Sequence, residues 1–120
     1  MVHAYVSGRD VLDIRSAQKS AWENKLEKGF NTTDVPLEFC LLVAEVGEAI
    51  DAWRRDRQAV AEELADVAIF VLGLAEMMGT DLQDAIEGKL AVNRARTYKQ
   101  VGDGLHVQVT GDTLSADGPP

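Results

Sequence analysis

Four acidic residues lie within apolar stretches that have the length and periodicity of helices. Glu45 and Glu48 interrupt one stretch, and Glu63 and Asp66 interrupt another. The members of each pair are three residues apart, so they share one helix face. At about 100° per residue, the same faces carry the apolar residues Leu41, Leu42, Ala49 and Ala52, and Ala59, Val60, Val67, Phe70 and Leu74.

Faces of this kind should pack against a core, where an uncompensated carboxylate is very costly. A divalent metal ion with oxygen ligands is the simplest compensation. A solvated acidic face, the usual explanation of such pairs, is disfavoured because the acids lie on the same side as Leu41 and Phe70. The pattern therefore predicts a metal centre formed by Glu45, Glu48, Glu63 and Asp66. Glu62 lies off this face, and we expect it in water or behind the metal ligands.

The charge balance restricts the partners of the chain. The formal net charge is −8 over 120 residues, whereas nucleic acid polymers and anionic membranes bind through positive charge. A small phosphate ligand stays compatible, because it needs only a local cation. The single Cys40 cannot form an internal disulfide. No stretch reads as a signal peptide or a membrane span, so we expect a cytoplasmic protein.

Capping and breaking residues predict the first two helices. Asp10 is expected to cap a helix over about 11–27, and Gly29 to end it. Pro36 suits the first turn of a second helix, which should end near Arg55.

Two further helices follow a short break. The third should run to about Met78, with Gly79 closing it. The segment Thr80–Gln83 is a capping-box pattern, and it predicts a fourth helix that ends near Tyr98.

Four helices with short connections predict an all-α protein, an antiparallel four-helix bundle formed by residues 1–98. Glycines at 102, 104, 111 and 118 prevent any further helix. Residues 105–110 alternate weakly and suit a short strand, so residues 99–120 are expected to form an irregular or β-like, partly flexible C-terminal tail.

The predicted fourth helix carries a polar cluster. Lys89, Asn93 and Arg96 lie within about 60° of one another and continue the face of Leu82 and Ile86. Positive charge near a helix C-terminus is common without a ligand. Opposite four acids, however, it supplies the cationic and hydrogen-bonding partners that a metal-bound polyphosphate needs.

Three aromatic residues, Trp22, Phe30 and Trp53, are candidates for stacking on a base, although buried aromatics more often belong to the core. Asn24 or Lys25 are further candidates near the mouth of the site. The two histidines, His3 and His106, lie far from the inward acids along the sequence, which removes the Glu-x-x-His pattern of di-iron bundles. No glycine-rich phosphate loop is present.

The acidic pairs and their flanks, Leu42–Glu48 and Glu62–Val67, resemble the signature of the MazG-like all-α nucleoside triphosphate pyrophosphohydrolases. The resemblance covers about residues 10–98. The spacing of Lys89, Asn93 and Arg96 is similar to the phosphate- and sugar-binding stretch of that family. The family pattern often has an additional Glu before the first pair, and Ala44 occupies that position here.

The resemblance implies a Mg²⁺-dependent enzyme, with Mn²⁺ as an alternative ion. It would cleave a nucleoside triphosphate, ribo or deoxy, to the monophosphate and pyrophosphate, and so remove surplus or non-standard nucleotides. The four acids would hold the metal and perform catalysis, and Trp22 and Phe30, on the first helix and its following loop, would surround the base. Such proteins form dimers or dimers of dimers.

Two alternatives remain open at this stage. One is a related pyrophosphohydrolase that acts on phosphoribosyl-ATP. The other is a non-catalytic helical module that binds metal or nucleotide, or only dimerises. A second apolar face on two helices, made by Val43, Val46, Ile50, Ala68 and Ile69, also predicts a homo-oligomer. The base and sugar preference and the size of the assembly stay undetermined.

Overall fold

A computed structural model describes residues 11–109 of the chain, and these residues form four α-helices and one two-stranded sheet. The predicted all-α class with a short β-like C-terminal segment is confirmed. The elements are α1 (Ile14–Lys28), α2 (Val35–Arg55), α3 (Val60–Met77), α4 (Leu82–Ala95), β1 (Tyr98–Gly102) and β2 (Leu105–Gln108), with a 3₁₀ turn at Arg57–Ala59.

The chain divides into two compact units, Met1–Ala85 and Ile86–Pro120. In the described part of the chain, the first unit contains α1, α2, α3 and the first residues of α4. The second unit contains the rest of α4 and the β1–β2 hairpin. Between residues 11 and 109, no helix combines the length and the hydropathy needed to cross a membrane.

Helix α1 begins later than its sequence suggested. The predicted cap, Asp10, lies outside the described residues. Asp13 caps the helix instead, because its carboxylate accepts hydrogen bonds from the backbone N–H of Ser16 at 2.8 Å and from the Ser16 hydroxyl at 2.6 Å. These bonds also hold the pKa of Asp13 below its ordinary value. Gly29 ends the helix as predicted, with a left-handed φ of 73° that a side chain would oppose.

Helix α4 is shorter than predicted at both ends. Thr80 does not cap it: the Asp81 carboxylate accepts from the Asp84 N–H at 3.1 Å, and the Gln18 side chain accepts from the Leu82 N–H at 3.0 Å. The helix ends at Ala95 and not near Tyr98.

A β-hairpin follows α4, beginning where the sequence predicted the last residues of the helix. Tyr98 begins β1 and pairs with Gln108 of β2, so the backbone groups of this segment are satisfied by a strand partner. Gly104, with φ of 72°, lies in the turn between the strands. The strand predicted over 105–110 is present as Leu105–Gln108, whereas its partner was missed; residues 110–120 lie outside the described residues.

In the first unit, α1 and α2 both pack on α3. The α1 and α3 directions are opposite, because Gln18 bonds to the Thr80 carbonyl at 2.8 Å while Lys25, seven residues later, lies against Gly73. A Cβ at Gly73 would lie 3.1 Å from Cδ of Lys25, so this close approach favours glycine. Among the described residues, the buried apolar residues are Ala49, Leu74 and Ala75.

Side-chain hydrogen bonds and ion pairs join α1 to the α3–α4 connection and to the last turn of α3. Arg15 donates to the carboxylates of Asp81 and Asp84, each at 2.8 Å. Gln18 is buried and donates to Glu76 at 2.9 Å. The Arg15 guanidinium lowers the pKa of Asp81. Since the ion pairs are exposed, they contribute little to the free energy of unfolding, and their main effect is on the orientation of α1.

An ion pair is buried where α1, α2 and α3 meet. The Lys25 ammonium donates to a Glu38 carboxylate oxygen at 2.7 Å, and the two residues are 9% and 1% exposed. The other Glu38 oxygen accepts from the Asn31 side-chain amide at 3.0 Å. A buried pair of this kind is stable only as a pair, because each charge compensates the desolvation of the other.

We therefore expect Glu38→Gln to destabilise the protein by about 3–5 kcal/mol, because the Lys25 charge would stay buried without its partner. The double variant Lys25→Met/Glu38→Leu should be as stable as the wild type or more stable, because no charge is then buried. Urea denaturation measures both. As a control, Arg55→Met breaks the exposed Arg55–Asp51 pair and should change stability by less than about 1 kcal/mol. A stable Glu38→Gln protein would contradict this account of the pair.

Candidate metal centre

The packing of α2 against α3 brings acids of the two helices together. Glu48 lies seven residues before the end of α2 at Arg55, and Glu63 lies three residues after the start of α3 at Val60. A short connection reverses the chain between them, so the two helix ends lie side by side. Glu45, Glu48 and Glu63 each offer a carboxylate oxygen within 4.8 Å of the others.

One oxygen of this cluster has no hydrogen-bond partner. Among the described residues, Oε1 of Glu63 is the buried side-chain oxygen or nitrogen atom that lacks one. Buried polar atoms in native proteins are nearly always satisfied, so an exception calls for a physical explanation. The same carboxylate contributes an oxygen within 4.8 Å of oxygens of Glu45 and Glu48, so a cation bound there is a physical explanation for the missing partner.

The electrostatics of the cluster indicate the same need for positive charge. Burial is the main cause that raises the pKa of Glu45, and repulsion from Glu48, Asp66 and Glu63 adds to it. Burial likewise raises the pKa of Glu63, with repulsion from Glu48, Asp66 and Glu62. Without a cation, these carboxyl groups oppose one another's ionisation; with one, the same groups become its ligands.

Asp66 stands slightly apart from the other three acids. It lies one turn after Glu63 on α3 and is exposed, and it is not among the three acids whose oxygens lie within 4.8 Å of one another. The Asp66 charge nevertheless repels the carboxylates of Glu45 and Glu63, and this repulsion raises the pKa of each. Glu62 is exposed, in agreement with its position off the inner face.

The donor set fits a hard divalent cation. Its members are carboxylates only, without histidine or thiolate, and oxygen ligands suit Mg²⁺, Mn²⁺ and Ca²⁺. The residues that would hold the ion are Glu45, Glu48 and Glu63, with Asp66 beside them. The unpartnered Glu63 oxygen is the observation that makes this fit more than a coincidence of acidic residues.

The aromatic candidates Trp22 and Phe30 lie in different parts of the first unit. Trp22 lines a cleft of about 660 Å³ together with Glu76 and Gly79, near the C-terminal end of α3. Glu76 is ten residues beyond Asp66, or roughly 15 Å along the helix. Phe30 follows Gly29 in the α1–α2 loop and is 56% exposed.

Trp53 has a different environment, because it lies in the last turn of α2, next to the 3₁₀ turn that follows that helix. The Arg57 guanidinium lies 3.8 Å from the centre of its ring, a cation–π contact. One face of the indole is therefore covered by Arg57, and about half of the residue is exposed.

The polar cluster predicted on α4 is only partly helical. Lys89 and Asn93 lie four residues apart on α4 and are exposed. Arg96 lies after the helix end and is half-buried, with its backbone N–H bonded to the Asn93 carbonyl at 3.2 Å. The Arg96 guanidinium also donates to the Asn93 side-chain oxygen at 3.5 Å, so Arg96 stays next to Asn93 beyond the helix end.

Sequence reasoning missed Glu38. It considered Lys25 as a candidate near the mouth of the site, whereas the structure pairs the Lys25 ammonium with Glu38 inside the protein. The signal was available: Glu38 lies seven residues before Glu45, so it is a further acid on the inner face of α2.

Comparison with known proteins places these features in a family. The model of the MazG-like family matches residues 37–110. A dATP/dGTP diphosphohydrolase of cyanophage S-2L is 41% identical over 75 residues, which are 62% of this chain and 69% of that protein. Another, of Salmonella phage PMBT28, is 41% identical over 49 residues, which are 41% of this chain and 17% of that protein.

A solved structure agrees with the fold. The MazG-like pyrophosphohydrolase of cyanophage S-2L, bound to dGDP and three catalytic Mn²⁺ ions per active site, has a TM-score of 0.67 to this chain at 28% identity. The alignment covers 82% of this chain and 99% of that one. Helical fold, acidic centre and relatives together define a metal-binding hydrolase of nucleotide phosphoanhydride bonds. The chain belongs to the MazG-like family.

We expect Glu48→Gln and Asp66→Asn to remove most divalent-metal affinity and nearly all turnover while the fold survives. A neutral amide keeps the shape of the side chain but is a weaker ligand, and the metal-free protein should melt at the same or a higher temperature because carboxylate repulsion falls. Titration with Mn²⁺, followed by electron paramagnetic resonance and by thermal melting, measures affinity separately from activity.

Glu27→Gln, an exposed change on α1, is the control for that titration. Its metal affinity should equal that of the wild type. The stoichiometry of the wild-type titration also gives the number of ions, a number that the alanine at position 44 leaves open. Wild-type affinity and turnover in both site variants would contradict the metal assignment.

Proposed function

We propose that this chain is a Mg²⁺-dependent nucleotide pyrophosphohydrolase that converts a nucleoside triphosphate, ribo or deoxy, to the monophosphate and pyrophosphate. The observation that carries the proposal is the convergence of Glu45, Glu48 and Glu63, with one buried Glu63 oxygen left without a partner. The names of the two phage relatives make dATP and dGTP the first substrates to test.

In this proposal the four acids have two tasks. Glu45, Glu48 and Glu63, with Asp66 beside them, hold the metal. A divalent cation bound there would neutralise phosphate charge and would lower the pKa of a water molecule that it binds. A carboxylate that is not occupied as a ligand would accept the proton of the attacking water.

The remaining predicted residues bind the nucleotide. Lys89, Asn93 and Arg96 supply charge and hydrogen-bond donors for the phosphates and the sugar. Trp22 and Phe30 supply aromatic faces for the base. Support for these roles comes from the chemistry of the side chains, from the family resemblance and from the exposure of Phe30.

The cellular role that follows is removal of surplus or non-standard nucleotides in the cytoplasm. A small anionic substrate suits a chain with net charge −8 only where cations are concentrated locally, as at a metal centre. The same charge opposes binding to nucleic acid polymers or to anionic membranes.

The test is a panel of nucleotides incubated with Mg²⁺ or Mn²⁺, with pyrophosphate and orthophosphate measured separately. The panel contains dATP, dGTP, the other common nucleoside triphosphates and phosphoribosyl-ATP. We expect pyrophosphate from at least one triphosphate. Release of orthophosphate would refute the choice of bond, turnover of phosphoribosyl-ATP alone would indicate the related enzyme, and absence of turnover would indicate a binding module.

We predict that Lys89→Ala and Arg96→Ala raise KM by about 10- to 100-fold, because a hydrogen bond to a charged group contributes about 1.5–3 kcal/mol. The loss should fall mainly on binding, since neither residue belongs to the acidic centre. Steady-state kinetics on the best substrate of the panel measures it. Arg94→Ala removes an equivalent charge from the exposed surface of α4 and is the matched control. If KM and kcat stay unchanged in both variants, this segment does not bind substrate.

We also propose that the chain is a homo-oligomer, a dimer or a dimer of dimers. Val43, Val46 and Ile50 lie on one face of α2 and are 69%, 40% and 55% exposed. Ile69 on α3 is 49% exposed. Apolar surface of this extent on two helices favours association, which covers it.

Light scattering at micromolar concentration should therefore give a mass of at least two chains. Val43→Lys/Ile50→Lys places charges on the apolar face of α2 and should shift the mass toward the monomer. Glu23→Gln/Glu27→Gln, on the exposed surface of α1, makes the same change in net charge from polar positions and should leave the mass unchanged. A monomeric wild type would contradict the proposal.

A further inference from the structure

The buried ion pair of the first unit is part of a three-residue assembly. Glu38 uses both carboxylate oxygens: one accepts from Lys25 at 2.7 Å and the other from the Asn31 amide at 3.0 Å. Lys25 comes from α1, Asn31 from the α1–α2 loop and Glu38 from α2. We call these three residues the Glu38 assembly.

Asn31 in turn determines the shape of the loop 29–34. Its side-chain oxygen accepts from the backbone N–H groups of Thr33 and Asp34, at 3.3 Å and 3.0 Å. Its amide also donates to the Asp34 carbonyl at 2.8 Å. These bonds form an Asx-type turn, which holds the backbone in one conformation. The amide that organises the turn is the same one that is bonded to Glu38.

Phe30 lies between the two residues that Glu38 binds. Its backbone N–H bonds to the Lys25 carbonyl at 2.9 Å, and Asn31 follows it directly. The backbone on both sides of Phe30 is thus tied to the Glu38 assembly, while 56% of the residue stays exposed. The constrained backbone fixes the point at which the accessible Phe30 side chain leaves the loop.

Stability alone does not account for charges at this position. Replacing a buried ion pair by packed apolar residues is often neutral or stabilising. A charged pair with a third hydrogen-bonded partner adds directionality, because its bonds restrict the orientation of each group. The expected benefit is therefore a fixed position of the groups that surround it.

The position of the assembly relates it to the metal centre. Glu38 lies seven residues before Glu45 on the same face of α2, or about 10 Å along the helix. That separation is comparable to the distance from the phosphates of a nucleotide to its base. A nucleotide with its phosphates at the acidic centre and its axis along α2 therefore extends toward the loop 29–34.

We propose that Lys25, Glu38 and Asn31 are positioning residues, which hold the loop 29–34 and its Phe30 ring as the surface that receives the nucleoside part of the substrate. The proposal rests on the proposed function for the identity of the ligand. The Glu38 assembly touches no reacting atom; it acts through Phe30.

The double variant Lys25→Met/Glu38→Leu tests this role, because it removes the buried pair without leaving a buried charge. The matched control is Glu27→Leu/Lys28→Met, which removes one acid and one base from exposed positions at the end of α1. The readouts are Mn²⁺ affinity, the Kd of a non-hydrolysable deoxynucleoside triphosphate analogue by calorimetry, kcat and KM, and amide hydrogen exchange in the loop 29–34.

We expect the buried-pair variant to bind Mn²⁺ like the wild type and to lose about tenfold in affinity for the analogue, which corresponds to about 1.4 kcal/mol. KM should rise by a similar factor while kcat changes by less than about twofold, because binding and not the metal centre is affected. Exchange in the loop should become faster. The control variant should match the wild type in every readout.

A double-mutant cycle with Phe30→Ala shows whether the effect passes through the ring. In the wild type, Phe30→Ala should weaken analogue binding; in the buried-pair variant, the same change should have a much smaller effect, because the ring is already displaced. Additive effects of the two changes would overturn the proposal, as would unchanged analogue affinity in a folded buried-pair variant.

Failure of the proposed function would be recognised separately. A wild-type protein that hydrolyses no nucleotide but binds the analogue refutes catalysis and leaves the positioning role to be decided by calorimetry and by the cycle. A wild-type protein that binds no nucleotide overturns the proposal as well. Unchanged exchange in the loop 29–34 of the buried-pair variant would overturn it without reference to any ligand.

Discussion

The cost of placing carboxylates in a partly desolvated position governs this structure. Glu45 and Glu63 are half-buried, and their pKa values are raised by burial and by the repulsion of neighbouring acids. Repulsion of this kind opposes the packing of α2 against α3, yet these two helices form the main contact of the first unit. The apolar residues between the helices must therefore outweigh it, and a bound cation would turn the same repulsion into attraction.

Two acids on one face of α2 show two solutions to this cost. Glu38 is compensated from within the chain, by the Lys25 ammonium and the Asn31 amide. Glu45, seven residues later, is surrounded by other acids instead. An internally compensated charge needs no ligand, whereas an acid cluster with an unpartnered oxygen does. On the same helix, Glu38 therefore has the properties of a structural residue, whereas Glu45 has those of a metal ligand.

Local signals in the sequence were sufficient where a single residue decides the structure. Gly29 ends α1 through its left-handed conformation, and helical periodicity predicted that acids of two helices share a site, where Glu45, Glu48 and Glu63 do lie together. The errors occurred where the deciding partner is distant in sequence. The α4 start depends on Gln18, 64 residues away from Leu82, and the segment after Ala95 depends on a strand partner. Glu38 was missed because its partner, Lys25, lies on another helix.

These errors have a common physical origin, which also shows what must be known before an acidic residue is assigned a function. Helix periodicity identifies which residues share a face, but it does not state which of them are satisfied by the rest of the chain. Whether a carboxylate oxygen has a hydrogen-bond partner depends on the folded structure. In the described residues, both oxygens of Glu38 are bonded, whereas one buried oxygen of Glu63 has no partner. An acidic residue on the inner face of a helix is therefore a candidate metal ligand only if no group of the same chain already compensates its charge. By that criterion the acidic centre of α2 and α3 remains, and the carboxylate of Glu38 is assigned to the support of the loop that carries Phe30.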